Sequence, residues 1–331
     1  MAENTNISQA VGMYLDRLKA VGKSKQTVKA YHQGINRYLA ILEESGIDIN
    51  GPLDQLTVET YDWMLASLQN TSNATRKLYT SAVTAFFEYL SAMDLININF
   101  HQIAALRKSA TPTSPPRLPQ FSKENIQRVL DYAQTLKAAP YEDELDHLRN
   151  LRDRALLITL ADTGLRIHEA CKLTRGAMDF NEGRAIIIGK GNKEAVIRFT
   201  SRALRALREY IEARAALDGA SGKPLHTLPV FMRHDRPLGK KSKYNQYQPL
   251  STQTGRDVVN RRVRECLGPD AVGTITPHSF RHYFVTVVLN ATNNMRIAQE
   301  LARHSSITTT SRYAHLSNQE LDQAYYETFE Q

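Results

Sequence analysis

The feature that most constrains this sequence is a proline-rich segment between Lys108 and Ser122. It contains four prolines within thirteen residues and lacks the apolar spacing of a helix. Proline favours an extended, semi-rigid connection. A chain of 331 residues is also longer than one hydrophobic core usually supports. We therefore predict two domains, residues 1–108 and 122–331, joined by a linker at 109–121.

The positive charge of the chain is confined to one side of this linker. Residues 1–110 hold ten basic and ten acidic side chains, so the net charge of +8 comes from residues 111–331. A basic domain favours a polyanion such as nucleic acid, because lysine and arginine release condensed counterions when they neutralise phosphates. A basic, solvated surface explains the same charge equally well.

The first hundred residues predict a helical bundle. Apolar residues recur every three or four positions over 7–21, 25–45, 58–68 and 74–93. Short loops separate these segments, as in a compact bundle. Basic residues at the starts of the second and fourth helices are candidate polyanion contacts, although solvated helix ends explain them too: Lys23, Lys25, Lys29, Arg76 and Lys77.

Residues 122–331 predict a mostly helical α+β domain with a small antiparallel sheet. Two β-branched runs flank Gly189-Lys190-Gly191-Asn192-Lys193, which is typical of a hairpin with Lys190 at its tip. A short strand is predicted from Val230 to Met232. Helices are predicted after Ser122 and over 148–161, 165–173, 201–217, 252–266, 277–290, 293–303 and 317–329.

A long irregular region before Pro249 is rich in basic and aromatic residues. Such a loop can follow a nucleic-acid backbone, and a solvated loop is an equal alternative. The candidate contacts in it are Lys240, Lys241 and Lys243.

Several classes of protein do not fit the sequence. No apolar run approaches the roughly 18 residues that a membrane span needs, and no targeting segment is visible at the start. The two cysteines, Cys171 and Cys266, are too few for a disulfide framework or a cysteine-based zinc site. We expect a cytoplasmic protein with reduced thiols and no membrane contact.

The segment that begins at Thr276 predicts a phosphate-binding helix start. Thr276 is a good N-cap and Pro277 fits the first helical position. His278 and Arg281 then lie on one face, where both can donate to one phosphate group. A capped surface helix with polar residues in its first turn is the simpler alternative.

A metal reading of the same segment fails. His278 and His282 stand four residues apart, but the metalloprotease motif needs a glutamate at the place of Ser279. No carboxylate or cysteine stands nearby at ligand spacing, so we reject a zinc site and expect no metal here.

Two further candidates lie upstream. Arg166 follows a glycine-containing turn, and Glu169 stands three residues later, where the two can form an ordinary ion pair on the helix surface. Lys190 in its glycine-flanked tip is equally well explained as a turn residue. Neither residue decides a function by itself.

The candidates together resemble the tyrosine recombinase (phage integrase) family. The matching motifs are Thr163-Gly164-Leu165-Arg166-Ile167-His168-Glu169, Gly189-Lys190-Gly191-Asn192-Lys193, His278-Ser279-Phe280-Arg281, and His304 nine residues before Tyr313. Around Tyr31, the helical N-terminal region resembles the core-binding, SAM-like domain of that family. The resemblance therefore covers nearly the whole chain.

The resemblance implies a site-specific DNA recombinase without cofactors. Arg166 and Arg281 would hold the scissile phosphate, Tyr313 would attack it, Lys190 would protonate the leaving oxygen, His278 would act on the phenol and His304 would donate to the phosphate. Its implied partners are double-stranded DNA at the nucleoid and three further copies of the chain, linked through the C-terminal helix. The target sequence and any accessory proteins are not implied.

Two other functions stay open from the sequence. A type IB topoisomerase-like enzyme would nick and rejoin DNA with the same chemistry, and a DNA-binding regulator would have a degenerate site. One departure from the family pattern also stands out: Arg303 directly precedes His304, where the family usually has glycine. It puts the local backbone in question and adds a charge near the expected phosphate.

Overall fold

The computed structural model describes residues 5–110, 122–188, 194–234 and 247–304. They form two compact units, one within residues 1–116 and the other within 117–331. Both units are mainly helical, and the second also contains a three-stranded antiparallel sheet. The predicted fold class is therefore confirmed. Within the described residues, no helix is both long enough and apolar enough to cross a membrane.

The N-terminal unit is a bundle of helices. They are α1 (Ile7–Ala20), α2 (Lys25–Glu44), α3 (Val58–Ser67), α4 (Asn73–Ala92) and α5 (Phe100–Ala110). The first four were predicted from their apolar spacing, and side chains of Ser24, Thr57 and Ser72 cap three of them. Helix α5 was missed because Ile103 is its one fully buried position, so its apolar spacing is weak.

Aromatic residues fill the core of this bundle, and the buried hydroxyl groups of two of them are paired. The Tyr38 hydroxyl lies 2.7 Å from that of Thr60, and the Tyr61 hydroxyl lies 2.8 Å from that of Thr84. Because a buried hydroxyl without a partner is costly, these pairs fix how α2 and α4 meet α3. Specific hydrogen bonds as well as apolar packing therefore hold the core of this bundle together.

The C-terminal unit is built around one buried helix. Its helices are α6 (Lys123–Thr135), α7 (Glu144–Thr163), α8 (Ile167–Lys172), α9 (Ser201–Ala213), α10 (Ala215–Gly219), α11 (Thr252–Leu267), α12 (Pro277–Thr292) and α13 (Met295–Ala302). Almost every residue of α7 from Leu148 onwards is buried. Helices α6, α9, α11 and α12 pack around it. The active-site candidates lie where its C-terminal end meets α8 and α12.

Helix α7 carries charge into this core. Asp153 is fully buried and accepts from Arg152 at 2.9 Å, Arg261 at 2.6 Å and Arg262 at 3.0 Å. Burial opposes the charge of Asp153, but the three arginines outweigh it and hold its pKa below the usual value. One carboxylate therefore ties α7 to α11.

The sheet contains β1 (Met178–Asp179), β2 (Arg184–Ile188) and β3 (Glu194–Arg198), with β2 between the other two. The β2–β3 pairing confirms the predicted hairpin strands, with Ile186 opposite Val196. Strand β1 was not predicted, since two residues carry no readable alternation. The hairpin tip, with Lys190, lies outside the described residues.

The predicted strand from Val230 to Met232 is wrong. These residues are buried as expected for a strand, but they form only isolated bridges. Arg214 donates to the carbonyl groups of Pro229 at 2.7 Å and Val230 at 2.8 Å. A guanidinium group thus satisfies the carbonyl groups of Pro229 and Val230, while the Phe231 carbonyl accepts from the N–H of Leu250 at 2.9 Å.

Candidate active site

The site begins at the first turn of α12. Thr276 caps the helix, Pro277 is its first residue, and the Ser279 hydroxyl accepts the N–H of Thr276 at 3.1 Å. The predicted helix start is confirmed. It places His278 and Arg281 one turn apart.

Arg281 joins three separate parts of the chain. Its side chain is buried, with the residue 2% exposed. Its Nη1 donates to the Gly164 carbonyl at 2.5 Å, and its Nη2 donates to the Ala302 carbonyl. Gly164 stands two residues before Arg166, and Ala302 two before His304. One guanidinium group therefore brings the segments of all four described catalytic candidates together.

Gly164 is required by the geometry at this junction. It ends α7 with a positive φ of 60°. A Cβ atom there would lie 2.5 Å from Cδ1 of Phe284, which stands on α12 one turn after Arg281. Glycine alone allows both the turn and this close approach. The sequence placed Gly164 in a turn before Arg166 but carried no signal of the contact with Phe284.

Glu169 orients Arg166. Arg166 caps α8, and its backbone N–H donates to Oε2 of Glu169 at 2.9 Å. Its Nη1 donates to Oε1 of the same carboxylate, also at 2.9 Å. The Glu169 side chain is 5% exposed and that of Arg166 is 41% exposed. The predicted ion pair exists, but the expectation of an ordinary surface contact is wrong, because the carboxylate is buried.

Arg303 also forms an ion pair with the carboxylate of Glu169. Its Nη2 donates to Oε2 of Glu169 at 3.0 Å. Burial works against the negative charge of Glu169, but the N–H of Arg166 and the charge of Arg303 outweigh it, so the pKa of Glu169 stays below its usual value. The residue that departs from the family pattern is thus part of the site.

The backbone at Arg303 explains why glycine suits this position. Arg303 follows α13 in the left-handed conformation, with φ 56° and ψ 45°. Its N–H and that of His304 return to the carbonyl groups of Glu300 and Gln299, both at 3.0 Å. This reversal, typical of helix ends, sets the direction of the chain into His304.

The arginines suppress the charge of both histidines. Loss of water, followed by the charges of Arg281 and Arg166, lowers the pKa of His278. The same causes, together with His278 and Arg303, lower the pKa of His304 to about 4. Burial and the neighbouring arginines also lower the pKa of Arg281 to about 9. At neutral pH the positive charge of the site therefore resides on guanidinium groups, and the imidazoles are neutral.

The two histidines that invited a metal reading contact each other. The His278 and His282 rings are edge to face, with centroids 4.1 Å apart. The described part of the chain has no group of three or more histidine, cysteine or acidic residues suited to a metal.

The predicted DNA contacts differ in their surroundings. Lys23, Lys25, Lys29 and Lys77 are exposed and form no ion pair with another described residue. All three nitrogens of Arg76 donate to carbonyl groups at the ends of α3 and α5: those of Leu68, Gln69 and Ala110. This arginine therefore has a structural role, and its contact with DNA stays a prediction.

Five predicted site residues lie outside the described residues: Lys190, Tyr313, Lys240, Lys241 and Lys243. The predicted C-terminal helix over 317–329 lies outside them as well.

Comparison with known proteins decides the family. The model described as "Phage integrase family" matches residues 120–320. The model of the phage integrase N-terminal SAM-like domain matches residues 11–94. The chain belongs to the phage integrase family. It is a tyrosine-type site-specific recombinase, with a SAM-like unit followed by a catalytic unit.

Individual relatives agree with this membership. Tyrosine recombinase XerC of Lacticaseibacillus casei is 30% identical over 307 residues, which cover 91% of this chain and 92% of the relative. The Tn1549 transposon integrase in complex with transposon right-end DNA has a TM-score of 0.63 at 20% identity, covering 99% of this chain and 100% of the other. A lambda integrase tetramer bound to a Holliday junction has a TM-score of 0.61 at 18% identity, covering 94% and 78%. The two structures share the fold.

Proposed function

We propose that this recombinase cleaves and rejoins double-stranded DNA through a covalent 3′-phosphotyrosyl intermediate at Tyr313. The observation that carries the proposal is the pair of hydrogen bonds from Arg281 to Gly164 and Ala302. It gathers Arg166, His278 and His304 around one buried guanidinium group. Such a cluster suits a single phosphodiester group.

Arg166 and Arg281 supply the positive charge that the reaction needs. A phenol has a pKa of about 10, so only about one Tyr313 in a thousand is ionised at neutral pH without help. Arg166 and Arg281 hold the non-bridging phosphate oxygens and stabilise the charge of the pentacoordinate transition state. Arginine suits this task because its planar fork binds phosphate through two hydrogen bonds and stays protonated.

The chemical step is an in-line displacement at phosphorus. The Tyr313 oxygen forms a bond to phosphorus while the bond from phosphorus to the 5′-oxygen breaks. The phenol proton passes to His278, and Lys190 gives a proton to the leaving 5′-oxygen. His304 donates an N–H to a phosphate oxygen. Because the new ester retains the energy of the broken bond, no cofactor is needed.

The partners in this proposal are DNA and further copies of the chain. We assign DNA contact to both units, with residues 1–108 as the core-binding domain, 109–121 as the linker and 122–331 as the catalytic domain. The exposed lysines of the first unit, Lys23, Lys25, Lys29 and Lys77, neutralise phosphates together with Lys240, Lys241 and Lys243. Four copies assemble on two DNA sites through the C-terminal helix. The enzyme works in the cytoplasm, at the nucleoid.

The decisive experiment traps the covalent adduct. The purified chain is mixed with fragmented DNA, denatured, and the DNA that remains attached to protein is sequenced to give the target site. A nicked duplex of that sequence, which loses its 5′-hydroxyl fragment after cleavage, then measures the rate of adduct formation.

Two variants complete this test. Tyr313→Phe is expected to bind the duplex and form no adduct, whereas Tyr141→Phe, an exposed tyrosine of the same unit, reacts as the wild type does. An adduct that persisted in Tyr313→Phe would refute the assignment of the nucleophile. Exchange between two such sites in one assay separates recombination from nicking and rejoining alone.

A further inference from the structure

Arg303 occupies a backbone position where an L side chain is strained. Its φ of 56° and ψ of 45° lie in the left-handed region. There the Cβ atom crowds the following carbonyl oxygen, and glycine is free of that contact. The turn into His304 can therefore form more easily without this side chain.

The side chain nevertheless makes a contact at the centre of the site. Its Nη2 lies 3.0 Å from Oε2 of Glu169, and the Arg303 side chain is only 15% exposed. Both oxygens of Glu169 are already engaged by Arg166, one by its backbone N–H and the other by Nη1. One buried carboxylate thus joins two guanidinium groups.

The Arg303 guanidinium is not saturated by the described protein. Its Nε is buried and has no hydrogen-bond partner among the described residues. A buried donor without an acceptor is unfavourable. The bond to Glu169 therefore uses only part of the hydrogen-bonding capacity of the Arg303 side chain.

The charge balance of the site depends on Arg303. The charge of Glu169 offsets one arginine, and the lowered pKa values keep His278 and His304 neutral. Without Arg303, the charges of Arg166, Arg281 and Glu169 would therefore sum to one net positive charge. Arg303 raises this sum to two. The transition state of phosphodiester cleavage carries more negative charge than the substrate, so the second charge favours the transition state over the ground state.

We propose that Arg303 is a positioning residue for Arg166: it lets Glu169 orient the Arg166 guanidinium without cancelling the positive charge that meets the scissile phosphate. This inference rests on the proposed function. It concerns a position where this chain departs from the pattern of its family.

Three substitutions at Arg303 test the inference on the nicked duplex described above, under single-turnover conditions. Arg303→Gln removes the charge, Arg303→Gly removes the side chain and the backbone strain together, and Arg303→Lys keeps the charge and one donor to Glu169. Arg296→Gln is the matched control, because Arg296 lies in α13, the helix that ends just before Arg303, in an exposed ion pair with Glu300.

We expect Arg303→Gln and Arg303→Gly to lower the maximal cleavage rate roughly tenfold, as expected for loss of one nearby charge in a partly buried site. The duplex concentration at half-maximal rate should change by less than about threefold, because the charge acts mainly in the transition state. Arg303→Lys should recover most of the rate, and Arg296→Gln should stay within about twofold of the wild type.

The cleavage rate of Arg303→Gly separates this role from a structural one, and melting curves of the same variants check that each is folded. A structural role predicts that Arg303→Gly, relieved of strain, cleaves as fast as the wild type. That result, an unchanged rate in Arg303→Gln, or an Arg303→Lys variant as slow as Arg303→Gln would each overturn the inference. A wild-type chain without an adduct would remove the proposed function itself, whereas a reactive wild type matched by Arg303→Gln removes this inference alone.

Discussion

Replacing Gly164 by alanine tests whether this junction depends on glycine. The substitution adds one methyl group at φ 60°, 2.5 Å from Cδ1 and 3.0 Å from Cγ of Phe284. The left-handed backbone costs an alanine about 1–2 kcal/mol. Overpacking against the ring adds about 1–3 kcal/mol. We therefore expect Gly164→Ala to lower the free energy of unfolding of the C-terminal unit by about 2–5 kcal/mol.

Gly222→Ala provides the matched control. Gly222 has a similar φ of 67°, but a Cβ atom there would meet nothing within 4 Å. The control therefore carries the backbone cost and the unfolded-state effect of alanine, without the collision. For a unit of this size, about 1–3 kcal/mol of extra destabilisation corresponds to a melting temperature roughly 2–12 °C below that of Gly222→Ala.

Thermal unfolding and single-turnover cleavage together measure the two consequences. Because the Gly164 carbonyl accepts from Arg281, displacement of this carbonyl should also slow adduct formation roughly tenfold or more. Gly164→Ala should cost less in a Phe284→Ala background, since the ring is then absent. Equal melting temperatures for Gly164→Ala and Gly222→Ala would refute the argument, because they would mean that the ring moves aside without cost.

Three further predictions follow from the same unit. Asp153→Asn should destabilise it by about 3–5 kcal/mol, since it leaves buried arginines without their counter-charge; the exposed carboxylate control Glu300→Gln should cost less than about 1 kcal/mol in the same denaturant titration. Acid should weaken the unit: the pKa values of His304, about 4, and His234, about 3, lie below the unfolded value of 6.5, so the unfolded chain takes up protons first as the pH falls. Denaturant titrations should show stability present above pH 6.5 and lost below it by up to about 1.4 kcal/mol per pH unit for each histidine, and a flat profile between pH 7 and 5 would contradict this. Arg281→Lys should lower both the melting temperature and the adduct rate, because an ammonium group cannot reproduce the two carbonyl bonds and the phosphate fork; wild-type cleavage in that variant would argue against the role of Arg281.

Local signals in the sequence accounted for most of the fold. Apolar spacing predicted most helices of both units, and Thr276 with Pro277 marked the start of α12. These signals act within a few residues, so they are readable without the tertiary structure. Helix α5, with a single fully buried residue, and β1, with two residues, lack such a signal.

The site was predicted by motif, but its internal geometry was not. The resemblance singled out Arg166, His278, Arg281 and His304, and the described structure gathers their segments. The burial of Glu169 and its bond to Arg303, 134 residues away, depend on how the helices pack. In the segment where a strand was expected, the Val230 carbonyl likewise accepts from Arg214, which stands 16 residues earlier. Long-range hydrogen bonds of this kind leave no periodic pattern in a sequence.

The reach of Arg281 has a consequence for a chain that is still being synthesised. Its two carbonyl partners stand 117 residues before it and 21 residues after it. A nascent chain therefore cannot complete this arginine's contacts until Ala302 has left the ribosome and α13 has folded back. A fragment that ends earlier carries Arg166, His278 and Arg281 but lacks the Ala302 carbonyl, so only the bond to Gly164 can hold this arginine.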